Sequence, residues 1–217
     1  MNIKKIFSEN DLAEIKAAVQ KAESEISGEI VPVVVEKCGN YSLSYYRASF
    51  LILAFTALLI FNIDRFYTPF LFVDPLTTFI VLAAGAVTGI ILLFFYPQLK
   101  VLFIGNGEME RNVAIFTDAE FLSQEIFNTR QRTGILILIA LFEKKVIIKA
   151  DKGIAAVVDQ KVWDDLIKSL ISLIRKGEMK KGLIKAINDC AGILKERGFT
   201  ISPDDTNELS DDLRIGR

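Results

Sequence analysis

The chain has 217 residues, enough for one ordinary domain with something added, and a formal net charge of −1, which offers nothing to nucleic acid. It contains no histidine, which excludes Ser-His-Asp and Cys-His catalysis and the usual imidazole metal ligand. Hydrophobic residues make up 51% and charged residues 24%, with a mean hydropathy of +0.36, so apolar residues must be concentrated locally rather than spread through a soluble fold.

The first residues carry Lys4 and Lys5 with no apolar run behind them, which does not fit a secretory signal peptide and predicts a cytoplasmic N-terminus. A helix is predicted to start after Ser8, which can cap the N–H of Asp11, with Phe7 and Leu12 placed as a hydrophobic staple. Leu12, Ile15, Val19, Ala22 and Ile26 mark its apolar face, and Gly28 is expected to end it. Residues 30–35 read as a strand; Pro32 lacks an N–H, so the strand should be at an edge or locally unpaired there. Cys38 and Cys190 fit no CxxC pattern and are expected to be reduced thiols.

Residues 75–99 contain no charge, and residues 76–96 are almost wholly apolar; at about 1.5 Å per residue that stretch reaches the ~30 Å of a bilayer core. Residues 48–63 form a shorter uncharged run, extended by Tyr45 and Tyr46 with Arg47 able to snorkel. The connector, rich in Phe66, Tyr67, Phe70 and Phe72, is expected to turn in the far headgroup region, with Pro69 and Pro75 breaking helices. Lys37, Arg47, Lys100 and Arg111 flank the outer ends of the pair and Arg65 lies between, which favours both termini on the cytoplasmic side. Gly85 and Gly89 form a GxxxG pattern that lets another helix approach, either the first span around Ala54 and Ala57 or a second copy in a homodimer.

After the hairpin, Gly105 and Gly107 lead into a helix whose inner face is expected to carry Ile115, Ala119, Leu122 and Ile126. Residues 134–142 are apolar at every position and too short to span as a helix, which suits a strand buried on both faces. Residues 143–145 read as a turn and 146–150 as the returning strand. Two helices close the pattern: one capped by Asp159 with Trp163, Ile167, Leu170 and Ile174 inward, the other with Leu183, Ile187, Cys190 and Leu194. The acidic end, with Asp204, Asp205, Glu208, Asp211 and Asp212, reads as a solvated terminus. A strand covered on both faces needs more layers than the trailing segment holds, so the leading helix and strand should join it on one side of the membrane. The predicted fold is an α/β/α sandwich with a small mixed β-sheet, interrupted by a two-helix transmembrane hairpin.

Several short motifs, taken in order, resemble a known family. They are Ser27-Gly28-Glu29-Ile30-Val31, Arg130-Gln131-Arg132-Thr133-Gly134, and Ala150-Asp151-Lys152-Gly153-Ile154; Trp163, Ile174-Arg175-Lys176-Gly177 and the tail around Asp205 and Asp211 follow. The pattern is similar to the TPM domain, and within it to the bacterial membrane subfamily in which two spans interrupt the domain. The resemblance implies residues 1–40 as the first part of the domain, 45–98 as the hairpin (spans about 45–63 and 76–96), 105–200 as the second part, and 201–217 as an acidic tail. It also implies phosphatase activity and calcium binding in the enzymatic branch, where Asp-Asn-Gly precedes the central strand. Here Arg132-Thr133-Gly134 stands in that place, replacing an oxygen ligand with a guanidinium.

Two functions are expected from this reading. In the first, the domain is a membrane-tethered binding or scaffolding module without catalysis or cofactor. Its contacts are the lipid bilayer and membrane-associated proteins, and Arg130, Arg132, Thr133 and Gly153 are binding candidates at one end of the sheet. In the alternative, it is a divalent-metal-assisted acid phosphatase, with Asp151 and Glu143 holding calcium or magnesium and an arginine orienting phosphate.

Overall fold

The structure is a computed structural model that describes residues 6–67, 74–201 and 207–216. Expectations for residues 1–5, for Pro69, Phe70 and Phe72 of the connector, and for Asp204 and Asp205 fall outside the described residues. The chain forms two compact units, one of Met1–Gly39 with Arg111–Arg217 and one of Asn40–Glu110.

In the first unit, α1 (Glu9–Glu23) begins with a reciprocal cap: Ser8 Oγ accepts from Asp11 N at 3.2 Å, and Asp11 Oδ2 accepts from Ser8 N at 2.8 Å. Phe7 is buried and Leu12 partly so in the same core cluster, as a staple requires. The helix stops at Glu23, earlier than the glycine signal suggested, where Ser24 turns its hydroxyl back to Lys21 O at 2.7 Å. Gly28 instead permits a close approach, since a Cβ there would lie 3.0 Å from Thr133 O and 3.1 Å from Leu194 Cδ1.

The sheet runs β3-β2-β1-β4, with β1 (Glu29–Val35) parallel to β2 (Gly134–Ala140), β2 antiparallel to β3 (Lys145–Ala150), and β1 parallel to a short β4 (Arg214–Gly216). Both β1 and β2 are buried along their whole length. Their alternate residues serve two layers. Ile30, Val34, Ile135, Ile137 and Ile139 meet α1, α6 (Gln160–Arg175) and α7 (Met179–Glu196). Val31, Val33, Val35, Leu136 and Leu138 meet α4 (Asn106–Ser123). Asp159 caps α6 as expected, and Trp163, Leu170, Leu183, Ile187, Cys190 and Leu194 are all buried.

Two expectations are corrected. The face that α4 buries is Val113, Thr117 and Phe121, while Ile115 and Leu122 are 61% and 62% exposed. Both stripes have helical spacing, and burying Thr117 costs little because its hydroxyl donates to Val113 O at 2.7 Å. The C-terminal segment is not simply solvated: it returns to supply β4, with Leu213 against one core layer and Leu209 against the other.

In the second unit, α2 (Leu43–Tyr67) and α3 (Pro75–Phe95) are each long and apolar enough to cross a membrane by length and composition. Asp74 caps α3 by accepting from Thr77 N at 2.7 Å, with Pro75 in the first turn. Gly85 and Gly89 face α2 of the same chain. A Cβ at Gly85 would lie 2.7 Å from Thr56 Oγ1, and one at Gly89 would lie 2.6 Å from Ser49 Cα. The seam on α2 is thus Ser49 and Thr56, while Ala54 and Ala57 are exposed. Ser49 Oγ donates across the seam to Ala86 O at 2.8 Å. Thr56 and Thr88 donate back to their own helices, to Ile52 O and Ala84 O.

Candidate functional site

Except for Glu143, the sequence candidates of the domain gather where β1 and β2 begin. This is the amino end of the parallel pair, opposite the carboxyl-end crevice that α/β folds favour. The loop of residues 129–133 that enters β2 is pinned on several sides. Thr133 N donates to Thr129 Oγ1 at 2.9 Å, with both threonines buried. Arg130 N donates to both Glu208 oxygens at 3.0 and 3.2 Å, and Gly153 N donates to Arg132 O at 3.0 Å. Glycines make room for it. A Cβ on Gly153 would lie 2.6 Å from Gln131 O, and one on Gly134 would lie 2.3 Å from Ile126 O. Arg132 itself has φ +59°, the left-handed region in which a side chain is strained.

Arg130, Gln131 and Arg132 are exposed on this fixed backbone. The Arg132 guanidinium donates from Nε to Asp151 Oδ2 at 2.6 Å and from Nη2 to Oδ1 at 3.0 Å, and lies 5.8 Å from the Phe127 ring. Asp151 raises the Arg132 pKa by accepting these bonds. Asp151 is 4% exposed and also accepts from Lys152 N at 2.7 Å, as the cap of the short helix α5 (Lys152–Ala155).

The structure separates the two expected metal ligands. Asp151 N bonds to Gly134 O, at the start of β2, whereas Glu143 follows its far end and accepts from Cys38 N at 2.8 Å. A seven-residue strand at roughly 3.3 Å per residue lies between them, so they cannot share one ion. Asp151 already has both oxygens occupied, and no group of three or more acidic or cysteine side chains fit for a metal occurs among the described residues. The pair does not fit the cation that the resemblance implied.

Sequence reading missed a second set of groups at the same end. Glu29 is 7% exposed, and its Oε1 accepts from Glu208 N at 3.0 Å. Glu23, at the last turn of α1, accepts from Ile30 N at 2.8 Å. Asp211, 7% exposed, accepts from Gln20 Nε2 at 2.8 Å and Asn207 Nδ2 at 2.6 Å. Burial pushes the Glu23 carboxyl up to about 8 and raises that of Glu29. The available signal was a glutamate opening an otherwise apolar strand. Both cysteines are poor nucleophiles: burial pushes Cys38 up to about 12 and raises Cys190 as well.

The TPM domain model matches residues 100–193, which take in α4, β2, β3, α5, α6 and most of α7. No curated protein matches the chain. Among solved structures the chain is similar to the NMR structure of BA42 protein from the psychrophilic bacterium Bizionia argentinensis. The identity is 20% over 99% of each chain, with a TM-score of 0.59, a likeness of fold.

Proposed function

From a chain whose residues 100–193 match the TPM domain, we propose a membrane-anchored binding module that docks a membrane-associated protein through the loop of residues 129–133. The observation that carries this reading is the loop's fixed backbone beneath exposed Arg130, Gln131 and Arg132. A preordered surface loses little conformational freedom on binding, and arginine serves well at such surfaces. In this reading the hairpin is the anchor. It is supported by the exposed apolar side chains of α2 and α3, among them Phe50, Phe55, Phe79 and Phe94, which a bilayer would cover. The distribution of Lys37, Arg47, Lys100 and Arg111 supports a cytoplasmic domain with both termini on that side.

A photo-crosslinking residue at Gln131, activated in native membranes, tests the proposal. A discrete adduct with one protein, weakened by Arg130→Ala, is the expected result; recovery of the chain alone sinks it. The hydrolase alternative would need an ion held by Asp151 or Glu143, which lie at opposite ends of β2. Calcium- or magnesium-dependent hydrolysis of a phosphomonoester, lost in Asp151→Ala, would restore that alternative.

A further inference from the structure

Residues 207–216 close over the edge of β1 as a strap. Its strand β4 pairs with only Val33–Val35, and its apolar hold is small: Leu209 and Leu213 are partly buried and Ile215 is 38% exposed. Beneath it meet three carboxyl groups from three elements: Glu23 on α1, Glu29 on β1 and Asp211 on the strap itself. Among the described residues, two of their oxygens, Glu23 Oε2 and Glu29 Oε2, are buried with no partner at hydrogen-bonding distance. For a carboxylate that is costly, because such an oxygen can only accept; at Glu29 the strap's own Glu208 and Leu209 N–H groups offset part of that cost. A carboxylic acid has a hydrogen of its own, and for Glu23 the neighbouring acceptor is Asp211.

We propose that the strap is a latch worked by a proton: one proton held by Glu23 and Glu29, where they face Asp211, keeps residues 207–216 against α1 and β1, and its loss lets them go. Deprotonation leaves negative charge on both sides of the seam, with Glu23 and Glu29 on the body facing Asp211 and Glu208 on the strap. Arg214 is the cation that faces Glu23 and Asp211. It also faces Asp212 and Glu120, and its guanidinium is committed to Gln124 Oε1 at 2.9 Å and Ser210 O at 2.6 Å. Lys16 pairs with Asp212 at 2.9 Å on the exposed rim, with Asp211 nearby. Burial already pushes the Glu23 carboxyl up from 4.5 to about 8, so closure weakens across that span and the weakening is complete near pH 8. The folded value lies above the ordinary one, so closure is strongest at low pH and weakens as pH rises toward 8.

Amide hydrogen exchange of the full chain in lipid nanodiscs, followed from pH 6 to 9 and corrected for intrinsic exchange, tests this. Exchange of residues 209–216 should rise by up to about tenfold per pH unit and level off above pH 8, while residues 135–139 stay protected. Glu23→Gln, neutral and still able to donate to Asp211, should hold the strap protected at pH 9. Asp211→Asn should reduce the alkaline rise. The wild-type titration is decisive by itself, and protection of residues 135–139 reveals any variant that fails to fold. A flat wild-type profile, a strap that opens only together with residues 135–139, or a folded Glu23→Gln that keeps the wild-type slope would each overturn the latch.

Discussion

Arg132 grips Asp151 through two hydrogen bonds, Nε to Oδ2 at 2.6 Å and Nη2 to Oδ1 at 3.0 Å, from a backbone at φ +59°. The pair closes the loop of residues 129–133 over the end of the β2–β3 hairpin. Asp151→Ala loses this grip and the cap of α5 together, and should destabilise the domain by about 1–2 kcal/mol. Arg132→Gly should unfold at a higher temperature than Arg132→Ala, because both lose the guanidinium but only alanine keeps the left-handed strain. Thermal unfolding of the three variants checks the order.

Glycine substitutions should separate close packing from backbone strain. Gly134→Ala drives a Cβ to 2.3 Å from a backbone oxygen, Ile126 O, which cannot yield as a flexible side chain would; a loss of about 1–3 kcal/mol or more is expected. Gly177 has φ +80° with nothing within 4 Å, so Gly177→Ala should cost about 1 kcal/mol from conformation alone. Denaturant midpoints read both.

Global stability should fall with rising pH in the window set by Glu23. Its folded value of about 8 exceeds the ordinary 4.5, so the native state binds the extra proton. The stabilisation is complete below pH 4.5, declines by up to about 1.4 kcal/mol per pH unit between 4.5 and 8, and is gone above. Urea midpoints should show that slope in the wild type and lack most of it in Glu23→Gln.

With α2 and α3 in a bilayer as proposed, single cysteines replacing Ser24 and Ser210 should react with a membrane-impermeant thiol reagent from the same side. Labelling of one from each face would reject the two-span arrangement.

Gly89→Leu should pry α2 from α3, since even a Cβ would meet Ser49 Cα at 2.6 Å. A wider separation of spin labels on the two helices, with residues 135–139 still protected from exchange, is the expected outcome.

Much of this could be read from residue order. The apolar stripes of α1, α6 and α7 are one-sided, so helical spacing alone says which face is buried. The uninterrupted apolar run of β2 announced a strand covered on both sides, and that implied a leading strand paired with it, as β1 is. Pro32 also behaves as read. Glu29 N and Val35 O bond toward β2, while Ile30 N bonds away from it, to Glu23. By alternation the missing N–H of Pro32 faces that same outer edge, one residue before β4 begins at Val33. On α4 two apolar stripes compete, and spacing could not choose between Ile115 and Val113. Nothing in Arg214-Ile215-Gly216 announces a strand; its pairing depends on an edge created far upstream. The burial of Glu23, Glu29 and Asp211 was equally hidden, because each is exposed until the others arrive from distant parts of the chain. The same holds for Arg132, whose partner lies across a hairpin.

The parallel match of Glu29 with Gly134 also dictates an order of assembly during synthesis. When β1 leaves the ribosome, the strand it must lie beside has not been made, and two long apolar helices come first. Until then a strand apolar from Ile30 to Val35 has no neighbour, which exposes the nascent chain to aggregation and makes closure of the sheet a late, slow event. Holdase chaperones, or swift delivery of the hairpin into lipid, would be needed to bridge that interval. A chain rearranged so that β1 immediately preceded β2 should fold faster to the same sheet.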